Sequence, residues 1–356
     1  MKIISVDSIQ PGMQIARDLY GPNGVVLLKR GVSLTDAMIR SISRLNYSSV
    51  YIQDGADDEE SLVEAEVIAE SKRQETVQII RQFCETSLKS SKFSSSTGLD
   101  VTSVMRAAKD IVQSVMSNPN AVISLIDLKS FDDYTFQHSV SVCMLSVVVG
   151  RRLRLPIANL EDLALGAMLH DLGKVTLPLD VLNKPGKLTS TEFDLIKTHP
   201  RAGFELLSGN RFISAHAKAV VLQHQEKFNG QGYPKGMSGQ EIHLNGRIGA
   251  LVDVYDALTS DRPYRPRMYP HKALQIIKEG SGTHFDPELV ELFLTLVSPY
   301  PLGTRMVLNS GEEVAVVRVP PTQLDRPIVQ VMGGEPRLVD LSQRPDLQIE
   351  RVLETP

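Results

Sequence analysis

Cysteine is nearly missing from this chain: Cys84 and Cys143 are the only two among 356 residues. Each falls in a run that reads as helix, where a thiol packs as a small apolar group, so the pair is read as two packed thiols and not as a bridge. No apolar stretch reaches the roughly 20 residues that a membrane helix needs. The opening segment "MKIISVDSIQPGMQIA" has no apolar core ending in a cleavage site, so it does not read as a signal peptide. Together these absences lead us to expect a cytoplasmic protein with no membrane span. An excess of positive charge is missing as well. The formal net charge is −4, and a long nucleic acid requires a basic surface to neutralise its phosphates. No long nucleic acid is therefore expected as partner, although a local basic pocket can still hold a small phosphate ligand.

What is present is ordinary globular material, 42% hydrophobic and 22% charged, in a chain long enough for two or three domains. Residues 1–54 alternate β-like runs ("KIISV", "GVVLLKRG", "SVYIQ") with turn residues around one helical stretch, "SLTDAMIRSISRL". This reads as a small α+β module. Asp7 and Asp54 raise the idea of a phosphate-accepting receiver, but 62–118 lacks the strand–helix alternation that the rest of a receiver requires. The acidic "DGADDEE" at 54–60 reads as a solvated hinge. Residues 55–120 therefore read as hinge plus helical connector, interrupted by the polar "SLKSSKFSSSTGLD" at 87–100. From 121 to 300 helix follows helix, with Gly and Pro at the connections, which predicts an all-α bundle. Within 301–356, "GTRMVLNSGEEVAVVRV" is strand, turn and strand, the start of a small β appendage.

Several polar residues stand where those helices should be apolar. In "LEDLALGAMLHDLGK", Leu160, Leu163, Ala164, Ala167 and Met168 recur at helical spacing, and the series continues into Asp171 with His170 beside it. His138 shares a face with Val142, Leu145 and Val149. His224 continues Ala217, Val220 and Val221, His199 follows Leu195 and Ile196, and Asp253 is embedded in "IGALVDVYDAL". A lone histidine on such a stripe is ordinarily a hydrogen-bonded core residue, and a buried carboxylate needs a cation or donor nearby. Four histidines and two aspartates, one group per helix at intervals of 25 to 32 residues, read instead as a metal centre in a bundle core. Nitrogen with carboxylate donors suits iron, manganese or zinc better than calcium or magnesium. Asp171 is the natural bridging group. His216, His243, His271 and His284 lie in mixed contexts and read as surface or structural residues. After His224 the chain breaks into "EKFNGQGYPKG", which reads as a mobile loop.

The order His138, "HD" at 170–171 and Asp253 resembles the HD superfamily of metal phosphohydrolases. The blocks "LHDLGK", "VLNKPGKLT", "HPRAG", "HQEKFNGQGYP" and "DVYDALTSDRPYR" resemble its HD-GYP branch closely, over about half the chain. The resemblance implies a mainly α fold: an HD-type bundle, here with a small N-terminal α+β module and a small C-terminal β appendage. It further implies a phosphodiesterase that opens cyclic di-GMP to the linear dinucleotide, with the further step to GMP left open, at metals held by His138, His170, Asp171, His199, His224 and Asp253. Two-metal chemistry would use a bridging water of lowered pKa attacking phosphorus in line. Lys174 is the candidate to stabilise charge or protonate the leaving oxygen; otherwise it is a helix C-terminal cation. Lys184, Arg262 and Arg265 are candidate phosphate contacts. Gly232 would let the backbone approach a ligand closely. Tyr233 has two uses, stacking on a guanine or packing on the bundle, and both stay open at this level. The same loop is associated with partner contacts, and a homodimer is equally compatible.

Two positions depart from the pattern. Many members carry a second histidine after the one at 224, where this chain has Gln225. Some carry a glutamate one turn before the first histidine, where this chain has Tyr134. Both changes remove ligands of a third ion, so two divalent transition metals are expected, iron or manganese first and zinc third. Gln225 would remain a weak ligand through its amide oxygen. A catalytically weak effector that binds cyclic di-GMP and signals to a partner is the alternative that Gln225 keeps open.

Overall fold

"KIIS" and "SVYI" are short runs rich in β-branched and aromatic residues, and in the computed structural model they pair. The described residues are 2–21, 25–45, 47, 49–53, 69–89, 100–118, 134–184, 186–260, 267–333 and 337–353. The N-terminal module comprises β1 (Lys2–Ser5), β2 (Leu19–Tyr20), β3 (Val26–Leu28), α1 (Asp36–Arg44) and β4 (Ser49–Ile52). β1 runs antiparallel to β4, from Lys2↔Ile52 to Ser5↔Ser49, and β2 pairs antiparallel with β3. A receiver needs a parallel sheet, so these pairings agree with its rejection; Asp7 sits in a 3-10 turn and Asp54 is outside the described residues. Thr35 caps α1 by accepting from the Met38 N–H. Ile15, Leu34, Ile42, Val50 and Ile52 close a core of their own.

The bundle begins earlier than the metal-bearing helices. It contains α2 (Glu70–Lys89), α3 (Thr102–Ser117), α4 (Tyr134–Arg152), α5 (Ile157–Leu169), α6 (Leu179–Leu182), α7 (Ser190–Ile196), α8 (His199–Ser208), α9 (Ala215–Gln223), α10 (Leu244–Thr259), α11 (Pro270–Glu279) and α12 (Pro287–Leu294). Val77 and Ile80 of α2 and Val104 and Ile111 of α3 share one core with Val142, Leu163, Val220, Leu251 and Phe293. Polar contacts tie the same helices together. Arg73 donates to Ser141 Oγ at 2.8 Å, and Arg151 donates to the Val115 and Asn118 carbonyls that end α3. α5 is the central helix: Leu160 and every residue from Leu163 to Leu169 are buried, as expected of a helix apolar all round. Cys84 in α2 and Cys143 in α4 are both free thiols. The acidic run 54–60 and most of the polar interruption at 87–100 lie outside the described residues. Among the described residues no helix is long and apolar enough to cross a membrane.

Two helix readings need correction. Apolar spacing carries the α5 stripe on to Asp171, but the helix stops at Leu169; His170 is its C-cap and Asp171 opens a 3-10 turn, Leu172–Thr176. Spacing puts His199 on a stripe with Leu195 and Ile196, yet α7 ends at Ile196 and His199 starts α8. A new helix start, and not helical periodicity, aims that ring inward.

The C-terminal hairpin forms as expected. β5 (Arg305–Leu308) pairs with β6 (Glu313–Arg318) around Asn309-Ser310-Gly311, where Gly311 takes a φ of +84°. β7 (Ile328–Val331), β8 (Leu338–Asp340) and β9 (Ile349–Val352) extend it into an antiparallel sheet of order β8-β7-β6-β5-β9. Met306, Leu308, Val314, Val316 and Val329 form its own core.

Candidate metal centre

Five helices deliver the six candidate ligands, and all six are buried. His138 comes from within α4 and Asp253 from within α10. The others stand at helix ends: His170 at the C-cap of α5, Asp171 just after it, His199 at the start of α8 and His224 at the C-cap of α9. Position at an end has a chemical consequence. The last carbonyls of a helix lack intrahelical partners, and histidine Nδ1 can take them. His170 Nδ1 lies 2.7 Å from Ala167 O, His199 Nδ1 2.7 Å from Ile196 O, and His224 Nδ1 3.0 Å from Val221 O. A carbonyl only accepts, so each Nδ1 carries the proton and each Nε2 presents a bare lone pair inward.

His138 is oriented differently, by a carboxylate: its Nδ1 is 2.6 Å from Asp256 Oδ2, itself approached by Ser260 Oγ. Asp256 escaped the sequence reading. Its signal was available, since "DVYDAL" puts it three residues after Asp253 on the same helix face.

The inward atoms converge. His138, His170 and Asp171 each offer one atom within 4.8 Å of the others, as do His170, His224 and Asp253, and also Asp171, His199 and His224. His199 Nε2 and His224 Nε2 face each other at 3.1 Å. Two lone pairs at that separation repel unless a cation takes both, and cis ligands at ordinary metal–nitrogen distances lie roughly 2.9–3.3 Å apart. His170 Nε2 is buried without a hydrogen-bond partner, 3.4 Å from Asp171 Oδ2 and 3.9 Å from Asp253 Oδ1. Asp171 presents Oδ1 toward His199 (3.5 Å) and His224 (3.9 Å), while Oδ2 faces His170 and Lys174. The donor set fits divalent metal, and the two faces of Asp171 suit a bridging carboxylate.

The electrostatics keep both carboxylates charged and two of the imidazoles neutral. Burial disfavours the charge on Asp171, but Lys174, His170 and His199 outweigh it and hold the carboxyl well below its usual range. Asp253 is likewise lowered against its burial, chiefly by His138. Burial pushes His224 down to about 3, assisted by His170 and His199, and lowers His199 as well. His138 goes the other way: against the cost of burial, Asp253 and Asp256 raise it to about 9.

The remaining expected site residues are placed unevenly. Lys174 Nζ lies 2.5 Å from Asp171 Oδ2, at the edge of the centre. Gln225 does not offer its oxygen inward. Its Nε2 donates to Asp253 Oδ2 at 2.9 Å, and its Oε1 accepts from Tyr233 Oη at 2.9 Å, so the reading of Gln225 as an oxygen ligand is corrected. The loop after His224 is held, not loose. Buried Glu226 accepts from the Lys235 and Met237 N–H groups, and Phe228 and Asn229 donate to His284 and Thr283 carbonyls. Gly232 does permit close approach, but to its own chain: a Cβ there would lie 2.2 Å from Lys227 N. Tyr233 packs edge-on to His199 at 6.4 Å between ring centres. Lys184 is engaged by both oxygens of Glu192 at 2.7 Å. Arg262, Arg265 and the Tyr134 side chain lie outside the described residues. His216 stacks on His243 and His284 on Phe285.

Comparison with known proteins gives concordant results. Residues 120–289 match the model of the HD domain. The chain is 40% identical over 235 residues to the cyclic di-GMP phosphodiesterase PA4108 of Pseudomonas aeruginosa, covering 66% of this chain and 56% of that protein. It is 50% identical over 145 residues to a cyclic di-GMP phosphodiesterase of Vibrio cholerae, covering 39% and 30% respectively. The chain thus spans about half or less of the length of these relatives. Among solved structures, Bd1817, an HDG"Y"P protein of Bdellovibrio bacteriovorus, superposes with a TM-score of 0.54 over 82% of this chain and 97% of that one. At 18% identity that likeness is one of fold.

Proposed function

Because residues 120–289 belong to the HD domain family, we propose that this protein is a metal-dependent phosphodiesterase that opens cyclic di-GMP to the linear dinucleotide. The observation that carries the reading is the set of inward Nε2 atoms whose Nδ1 partners are already committed, above all the 3.1 Å approach of His199 to His224. The names of the matched Pseudomonas and Vibrio proteins support the choice of substrate.

His138, His170, Asp171 and Asp253 would hold one ion, and Asp171, His199 and His224 a second, with iron or manganese favoured by the nitrogen–carboxylate set and zinc third. Such ions, when bound, lower the pKa of a water toward neutrality and offset charge on phosphate oxygens. The chain's own residues then do the rest. The carbonyls of Ala167, Ile196 and Val221 keep three imidazoles in one tautomer. Lys174, half-exposed at the rim, meets the charge that develops on the phosphate and leaving oxygen. Lys184, Arg262 and Arg265 are assigned to the second phosphate, Lys184 by exchanging Glu192 for it. Any partner of the "NGQGYP" loop, a second copy included, would meet its exposed residues Asn229 and Gln231 and the adjoining Lys235.

The test is metal analysis of anaerobically purified protein, followed by chromatography of cyclic di-GMP. Two ions per chain with linear dinucleotide as product is the expected result. The His170→Ala/Asp171→Ala double variant should lose both metal and turnover, and its retaining activity would refute the mechanism. Metal bound without turnover under every ion tried would make the protein a receptor.

A further inference from the structure

Gln225 sits between two groups of different standing, a candidate metal ligand and the tyrosine of the adjoining loop. Its orientation follows from chemistry. Ionised Asp253 accepts only, so the amide NH2 must face Asp253 Oδ2 and the amide oxygen must face the Tyr233 hydroxyl, which donates. A second bond joins the same partners through the backbone, Tyr233 N–H to Gln225 O at 3.1 Å. Asp253 is therefore held at both ends: Oδ2 by Gln225, and Oδ1 toward His138 Nε2 at 3.0 Å and His170 Nε2 at 3.9 Å.

We propose that Gln225 is a positioning residue, not a ligand: it turns Asp253 so that Oδ1 alone is presented to the metal, and it links that carboxylate to the Tyr233 loop through one continuous chain of hydrogen bonds. Tyr233 Oη, donating to Gln225 Oε1 at 2.9 Å, is the donor end of the chain. The loop beneath Tyr233 is anchored by buried Glu226, so displacement of the tyrosine by a bound molecule would free the amide and with it the carboxylate. The inference rests on the metal-centre reading above and goes beyond it.

The test measures metal affinity of the full chain, by competition against a chelator, for four variants. Removing a partner that orients a metal ligand typically lowers affinity about 10- to 100-fold, and Gln225→Ala should fall in that range. Gln225→Glu is the sharper probe: a carboxylate at 225 repels Asp253 and should weaken binding, whereas a direct ligand would bind as tightly or tighter with the stronger oxygen. Tyr233→Phe keeps the ring and removes one hydrogen bond, for an expected fall of about 2- to 10-fold. The Gln225→Ala/Tyr233→Phe double variant should be no weaker than Gln225→Ala alone, because the tyrosine acts only through the amide. Undiminished affinity in Gln225→Glu, or additive losses in the double variant, would overturn the proposal. The thermal midpoint of each metal-free variant checks that it folds. His170→Ala run alongside separates the two levels: if it too keeps its metal, the centre itself is misassigned.

Discussion

A histidine closed off from water resists protonation, and that gives the centre a pH dependence of definite sign. His224 is held at about 3 against an ordinary 6.5, and His199 is lowered too. Folded and metal-free, both stay neutral while the unfolded chain takes up protons below 6.5. Their contribution to stability is complete above that pH and drains away as pH falls toward 3. His138, raised to about 9, has the opposite sign: its contribution is present below 6.5 and lost as pH climbs through 9. The thermal midpoint of metal-free protein is therefore expected to decline on both the acid and the alkaline side, and metal, which needs the neutral Nε2, should be released along the acid limb. An acid limb that stays flat down to pH about 4 would contradict the burial of these rings. For catalysis, Lys174→Met should lower kcat about 10²- to 10³-fold with metal content unchanged, as for removal of a charge-stabilising donor. Loss of metal in that variant would make Lys174 a structural partner of Asp171 instead.

At the scale of elements, the site depends on how closely the 3-10 turn after His170 lies on α8. A Cβ on Gly173 would sit 1.9 Å from the His199 carbonyl oxygen and 2.5 Å from Gly203 N. Backbone cannot yield as a side-chain tip does, so Gly173→Ala must part the turn from the helix that carries His199. Overpacking typically costs ~1–3 kcal/mol, and the separation also disturbs Asp171 relative to His199. A lowered midpoint with reduced metal content is expected, read by calorimetry and metal analysis; a variant with normal metal affinity would show that the turn has slack. Glu226 plays the comparable part for the loop. Glu226→Ala leaves the Lys235 and Met237 amides without their acceptor, so their hydrogen exchange should accelerate while α9 and α10 keep theirs.

Among the described residues, three hydrophobic clusters are distinct: the N-terminal module, the bundle with α2 and α3, and the C-terminal sheet. Separate cores are separate candidates for cooperative unfolding. Calorimetry should resolve more than one transition, and added metal should raise only the one belonging to the bundle, by about 2.7 kcal/mol at a hundredfold excess over Kd. A single transition that moves as a unit would mean that contacts such as Ser298 Oγ with Leu324 O couple the sheet to the bundle. Polar links between α2, α3 and α4 place the first two helices on the bundle's side of that division.

Much of this was legible before any coordinates, because apolar periodicity and donor type are local properties. The stripe Leu160–Met168 and the recurrence of His138, His170, His199, His224 and Asp253 are written in spacing, and spacing specifies which face of a helix a side chain occupies. The hairpin of the C-terminal sheet was legible for a similar reason, its turn residues lying between two β-branched, apolar runs. What spacing cannot express is which atom of a side chain meets which partner across elements far apart in sequence. Only the tertiary structure ended α5 before Asp171, turned His199 inward from a helix start, brought Asp256 to the back of His138, pressed Gly232 onto its own chain and set Gln225 between Asp253 and Tyr233. Those outcomes depend on hydrogen-bond satisfaction and close packing among buried groups, and such terms exist only once the helices have met.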